Sequence, residues 1–135
     1  MNIIVDAFGG DNAPLEIIKG CVEAVAEYNI NVTLTGDETK IKNVFSENSL
    51  SMNNIDICHC TQKITMEDSA ESVLKEKKDS SMAVGLRLLN EDKGDAFVSA
   101  GNSGALCVGA TLAIKRIKGI KRPAFAPVMP SESGF

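Results

Sequence analysis

The stretch that most constrains the fold runs from Gly94 to Ile114, GDAFVSAGNSGALCVGATLAI. Ala96, Phe97 and Val98 form a short apolar run entered through a glycine and an aspartate, the pattern of a buried strand. Ser99 to Gly104 is small, polar and glycine-bearing, which predicts a tight turn. Ala105 to Ile114 is apolar almost all round, which predicts a buried helix. A strand and the helix after it must each bury an apolar face against another layer, so this unit belongs in an α/β architecture. It is also how a chain builds an anion site. A helix begins with unpaired N–H groups at the positive end of its dipole, and glycines let an anion approach the backbone. Ser99, Asn102 and Ser103 add side-chain donors. The competing reading is a βα turn whose small residues serve only close packing.

The rest of the chain repeats the alternation. Asn2 to Ala7 reads as a strand, with Ile3, Ile4 and Val5 contiguous as in a sheet covered on both faces. Phe8 to Asn12 is a turn, and Pro14 suits the start of a helix with Asp11 or Asn12 as its cap. Ile17, Cys21 and Val25 recur at helical spacing within a helix over Leu15 to Tyr28. Ile30 to Thr35 is a second strand. Gly36 and Asp37 turn into a helix with Ile41, Val44 and Phe45 on one stripe, Ser46 to Asn54 is a loop, and Ile55 to Cys60 is a third strand. Thr61 to Glu71 is polar and irregular, and Ser72 to Lys78 is a helical turn. Ser80 or Ser81 caps a helix reaching about Asn90, with Met82, Gly85, Leu86 and Leu89 on one face and Lys93-Gly94 as its stop. Pro123 to Pro130 reads as a further strand. This order predicts a single α/β domain over residues 1–135, a three-layer αβα open sheet with mostly parallel strands and right-handed crossovers.

Composition narrows the function. The chain is 44% hydrophobic and 24% charged with a net charge of −4, so it has no global basic field for nucleic acid. Five Phe, one Tyr and no Trp leave few stacking platforms for bases. The N-terminus enters an apolar strand without a basic leader, and the longest apolar run is about half of what a bilayer requires, so a soluble, cytoplasmic protein is expected. Cys21 and Cys107 fall on apolar helix faces as core thiols. Cys58-His59-Cys60 would place the two thiols on one face of a strand and the imidazole on the other, which splits any metal cluster, and no metal is expected. His59 sits near a strand's carboxyl end, beside a cleft or simply packed.

In open α/β sheets, ligands bind outside the carboxyl ends of the strands. Three polar segments fall at such ends or lead into helices: Asp6 to Asn12, Lys77 to Ser81, and Ser99 to Gly104. If they converge, the pocket combines backbone N–H groups, hydroxyls, lysines and carboxylates, a set suited to phosphate. Each segment also has a plainer reading. Asp6 and Asp11 cap turns, Lys75, Lys77 and Lys78 form a solvated helix face, and the basic run Lys115 to Arg122 answers a helix dipole rather than an acidic partner. DAFGGD is not a dinucleotide fingerprint, and the sequence contains neither a P-loop nor a nucleophile elbow.

Four segments together carry a resemblance: VDAFGGDNAP at 5–14, KKDSSM at 77–82, DAFVSAGNSGAL at 95–106 and RIKGIKRPAFAPVMP at 116–130. In order and spacing the chain resembles the N-terminal part of the bacterial phosphate acyltransferase family. Phe8 stands where that family usually has Met, and Ser103 where it usually has Thr. Family chains are more than twice as long. The resemblance implies a fold similar to the isocitrate/isopropylmalate dehydrogenase and phosphotransacetylase group. It implies transfer of a fatty acyl group from acyl-acyl carrier protein to inorganic phosphate, giving acyl phosphate for phospholipid synthesis without a cofactor. It casts Lys78, Asn102 and Asp6 as catalytic residues. Gly9, Gly10, Asp11, Ser80, Ser81, Ser99, Gly101, Ser103 and Gly104 become binding residues for phosphate or the acyl group. It further implies a homodimer, cytoplasmic or peripheral at the inner face of the membrane, that feeds a downstream glycerol-phosphate acyltransferase. Two alternatives stand beside it: a metal-dependent hydroxyacid dehydrogenase of the same fold, and a non-catalytic module that binds acyl carrier protein through Lys115 to Arg122.

Overall fold

A computed structural model describes residues 1–126. Its sheet is entirely parallel. Strand β1 (Asn2–Asp6) pairs with β2 (Asn31–Gly36) on one side and β4 (Ala96–Val98) on the other, and β3 (Ile55–His59) extends the sheet beyond β2. The strand order is therefore β3-β2-β1-β4. The chain winds outward from β1 to β3, then crosses back to place β4 on the opposite side of β1. That reversal makes the β1–β4 junction a topological switch point, where connections leave in opposite directions and a crevice opens.

Alternation along the strands separates two cores. Val5, Ala7, Val32 and Leu34 pack with Ile18 and Cys21 of α1 (Leu15–Tyr28) and with Ile41 and Phe45 of α2 (Glu38–Glu47). The opposite face is covered by α3 (Ser81–Asn90), with α4 (Ser103–Ala113) leaning on α3; their core joins Ile64, Val73, Met82, Leu86 and Ala105. Each fully buried Ile or Leu contributes about 1.5–3 kcal/mol relative to exposure. This is the three-layer α/β architecture expected. The boundaries of α1 and β4 coincide with the expected ones, and the others shift by a residue or two. No helix among the described residues is long and apolar enough to cross a membrane.

Local details differ from expectation in six places. Neither Asp11 nor Asn12 caps α1: Pro14 occupies the N-cap position without a side-chain bond, and Asn12 contributes only its carbonyl, to the N–H of Glu16. Gly94 does not stop α3. Asp92 takes the left-handed conformation there (φ 56°), and Gly94 instead lets Ile4 approach its Cα. Ser72 to Lys78 folds as successive turns, without a helix. Only Ala105 and Gly109 of α4 are buried, and Leu112 is 62% exposed, because α3, Ile64 and Val73 pack against one side of it. Cys107 is correspondingly half-buried rather than a core thiol, unlike Cys21, whose burial pushes the thiol up to about 11. Residues 123–126 form no strand, and the remainder of the expected Pro123–Pro130 strand lies outside the described residues.

Candidate functional site

The crevice at the switch point is built by the segments after β1 and β4. Asp6, the last residue of β1, is buried at 2% exposure. A buried carboxylate needs donors, and it has them: the N–H of Phe8 donates to Oδ1 at 3.1 Å and Ser99 Oγ donates to Oδ2 at 2.8 Å. Ser99 Oγ in turn accepts the N–H of Gly101 at 3.1 Å. Gly9 fits this knot because it lacks a Cβ, which would stand 2.7 Å from both Asp6 Oδ2 and Ser99 Oγ. Gly10, with φ +110°, takes a conformation L side chains resist.

Asn102 is the N-cap of α4. Its Oδ1 accepts the N–H of Ala105 at 3.0 Å, while its Nδ2 donates to the carbonyls of Thr65 at 3.1 Å and Asp68 at 3.2 Å. One amide thus ties the helix start to the 63–68 loop, and the N–H groups of Ser103 and Gly104 are left without a partner among the described residues. Between these pieces lies a cleft of about 290 Å³, walled by Gly10 and Asp11, by Lys63 to Glu67, and by Gly101 and Asn102. A smaller hollow of about 200 Å³ adjoins it across Phe8 and Lys63 and reaches Asp37, Cys60 and Thr61. Phe8 can stand between the two because Gly36 leaves room for its ring. The main cleft is lined by one cation, Lys63, and two carboxylates, Asp11 and Glu67. The lining side chains therefore make no net positive field, and Lys63 is the one lining side chain that carries a positive charge.

Of the residues singled out in the sequence, the structure gathers Asp6, Gly9, Gly10, Asp11, Ser99, Gly101 and Asn102 at one crevice, with Ser103 exposed and Gly104 half-buried at the start of α4. It does not bring Ser80, Ser81 or Lys78 to the cleft wall. Ser80 is 0% exposed and caps α3 by accepting the N–H of Ala83 at 3.3 Å. Ser81 is 1% exposed, and its carbonyl accepts from Thr35 Oγ1 at 2.8 Å. Lys78 is exposed, with no side-chain partner among the described residues, whereas Lys77 reaches Asp68 Oδ2 at 2.5 Å. The bond from Lys77, and then the N–H of Thr65, hold the Asp68 carboxyl below the usual carboxylate range. His59 takes the plain role: its Nδ1 accepts the N–H of Glu38 at 3.1 Å and, with Asp37, secures the start of α2. Burial, the largest influence on the Cys60 thiol, pushes it up to about 12, which leaves it protonated and inert.

The wall that sequence reasoning missed is Lys63 to Glu67. Its polar, irregular composition reads as an ordinary loop, and only the spacing of Thr65 and Asp68 hints at a local turn closed by side chain to backbone.

A family model described as "Fatty acid synthesis protein" matches residues 1–135. Among curated relatives, the phosphate acyltransferase of Alkaliphilus oremlandii is 48% identical over 135 residues, covering 100% of this chain and 40% of that protein. The phosphate acyltransferase of Acetivibrio thermocellus is also 48% identical over 135 residues, covering 99% and 40%. That of Clostridioides difficile is 42% identical over 131 residues, covering 97% and 38%. The chain thus spans about 40% of the length of these relatives. With the match running through every residue that builds the crevice, the chain belongs to the fatty acid synthesis protein family.

Proposed function

We propose that the protein containing this chain transfers a fatty acyl group from acyl-acyl carrier protein to inorganic phosphate, releasing acyl phosphate and the carrier thiol. The observation that carries the reading is the switch-point cleft, where Asn102 caps α4 while the N–H groups of Ser103 and Gly104 stay unpartnered, in a chain whose relatives are named phosphate acyltransferases.

Phosphate is already nucleophilic at neutral pH, so the site needs to bind and orient it and to stabilise the oxyanion formed on attack. A phosphate oxygen adds to the thioester carbonyl, the tetrahedral intermediate collapses, and the carrier sulfur leaves as thiolate and takes a proton from solvent. The free N–H groups at the start of α4, with Ser103 and Gly104, receive the anion, and Gly9, Gly10 and Gly101 let it approach the backbone. Asn102 holds the helix start in register. Asp6, through Ser99, fixes the turn carrying Gly101, and Asp11 and Lys63 border the mouth. On this reading Ser80 and Ser81 shape α3 rather than touch phosphate, and Lys77 lies nearer the site than Lys78. Acyl carrier protein as donor, a homodimer, cytoplasmic location with peripheral contact at the membrane's inner face, and delivery to a glycerol-phosphate acyltransferase belong to the same proposal.

The test is to incubate the full-length protein with palmitoyl-acyl carrier protein and inorganic phosphate and to follow acyl phosphate and free carrier thiol. Phosphate-dependent thiol release is expected. Folded protein that releases thiol at the same rate with and without phosphate sinks the reading.

A further inference from the structure

We infer that Asp68 is a positioning residue of the cleft: clamped between Thr65 and Lys77, it holds the 63–68 loop in the one arrangement that orients the Asn102 amide at the start of α4. The inference rests on the reading of that cleft as the phosphate site.

Three donors converge on a single oxygen, Asp68 Oδ2: the N–H of Thr65 at 2.6 Å, Thr65 Oγ1 at 3.0 Å and Lys77 Nζ at 2.5 Å. No other carboxylate oxygen among the described residues collects three. The side chains of Asp68 and Lys77 are 20% and 27% exposed, so this pair is better shielded than the other ion pairs among the described residues. The same two residues that close the clamp through Asp68 Oδ2, Thr65 and Asp68 themselves, present their carbonyls to Asn102 Nδ2.

An asparagine amide has distinct ends. Nδ2 donates and Oδ1 accepts, so both carbonyls must stay in place for Oδ1 to face the N–H of Ala105. A flipped amide would set two donors against each other at the helix start. Without the Asp68 carboxylate, the N–H of Thr65 and the Lys77 ammonium lose their acceptor, the 65–68 turn opens, and both carbonyls leave Asn102. The carboxylate touches no reacting atom, and its effect passes through Asn102 to the N–H groups of Ser103 and Gly104.

The experiment compares Asp68→Ala, Asp68→Asn, Asn102→Ala and the Asp68→Ala/Asn102→Ala double variant of the full-length protein. Glu71→Gln, which removes the exposed partner of Lys75 on the same stretch, is the control. Two readouts are taken: kcat/KM for inorganic phosphate, and the amide NMR shifts of Ser103 and Gly104 on titration with inorganic phosphate. Asp68→Ala is expected to lower kcat/KM about 10- to 100-fold, the scale of a misplacement of about 1 Å. Asp68→Asn, which keeps an acceptor for Thr65 but no charge for Lys77, should lose less. The double variant should lose no more than Asn102→Ala alone, as for residues acting as one unit. Additive losses, or an Asp68→Ala protein that is folded with wild-type kcat/KM and phosphate-induced shifts, overturn the inference; if Asp68→Ala does not fold, Asp68→Asn carries the same comparison. Wild-type protein whose Ser103 and Gly104 amides respond to phosphate, without phosphate-dependent thiol release, defeats the acyl-transfer reading while leaving the positioning role standing on the NMR arm.

Discussion

The starts of α3 and α4 look alike in the sequence and differ in the fold. Each opens with a polar cap and a serine, SSM in one case and NSG in the other. Each is fastened by an aspartate whose Oδ2 takes the N–H and hydroxyl of a threonine: Asp79 with Thr61 at 2.8 and 2.6 Å, Asp68 with Thr65 at 2.6 and 3.0 Å. Yet α3 begins inside the molecule. Ser80 spends its hydroxyl on the helix, and the backbone of Ser81 is taken by Gln62 and Thr35. The start of α4 faces a cleft, with Ser103 exposed. A hydroxyl at a helix N-terminus can meet a ligand only where the surrounding chain leaves it open; where the chain closes over it, as at Ser80, it serves the helix alone.

Substitutions at the two helix starts test that contrast. The largest effect is expected at the open end: Asn102→Ala should lower phosphate-dependent turnover on the order of 100-fold, since it removes the cap and both ties to the 63–68 loop, measured as kcat/KM for phosphate. Gly9→Ala comes next. Its Cβ would fall 2.7 Å from Asp6 Oδ2 and Ser99 Oγ and 2.9 Å from the N of Gly101, so the knot must part. Turnover should drop about 10-fold or more, with the loss visible in kcat/KM alongside a lowered Tm. At the closed end, Ser80→Ala should cost about 1 kcal/mol of stability in denaturant unfolding while leaving the affinity for phosphate where it was. Phosphate binding weakened by an order of magnitude in that variant would erase the distinction between the two helix starts.

Acid should weaken both fastenings. The carboxyls of Asp68 and Asp79 are held below their usual value, the first chiefly by Lys77 and the second chiefly by the Thr61 hydroxyl. A depressed carboxylate stabilises the fold above its unfolded value of about 3.9 and loses that contribution as pH falls through the lower folded value. The Tm difference between wild type and Asp68→Asn should therefore be full near pH 7 and shrink steadily below about pH 4. The smallest effect is expected within α1. Gly20 sits within α1, and a methyl group added there would meet nothing within 4 Å, so Gly20→Ala should raise stability by about 0.5–1 kcal/mol in thermal unfolding with no kinetic consequence.

Much of this molecule is legible one segment at a time. The apolar run at Ile3 to Val5, the helical spacing of Ile17, Cys21 and Val25, and the strand–turn–helix unit around Ser99 to Gly104 depend on neighbours within a few residues, so local periodicity and turn chemistry reveal them. They also identify the α/β class and one half of the crevice. What they cannot reveal is which loops meet. The order β3-β2-β1-β4 is decided by pairing between distant strands, and it is this order that sets Asp6 against Ser99, 93 residues away. The tie from Asn102 to Thr65 spans 37 residues, and the seal of Thr35 over Ser81 spans 46. Whether a serine caps or binds, whether Lys77 or Lys78 turns inward, and whether an apolar helix such as α4 is buried all depend on what packs against them. The elements and their amphipathic faces can be read along the chain, because they follow from local sterics and hydrogen bonding. Which end of which helix is left open can be read only from the folded molecule, because it follows from contacts between segments that meet only on folding.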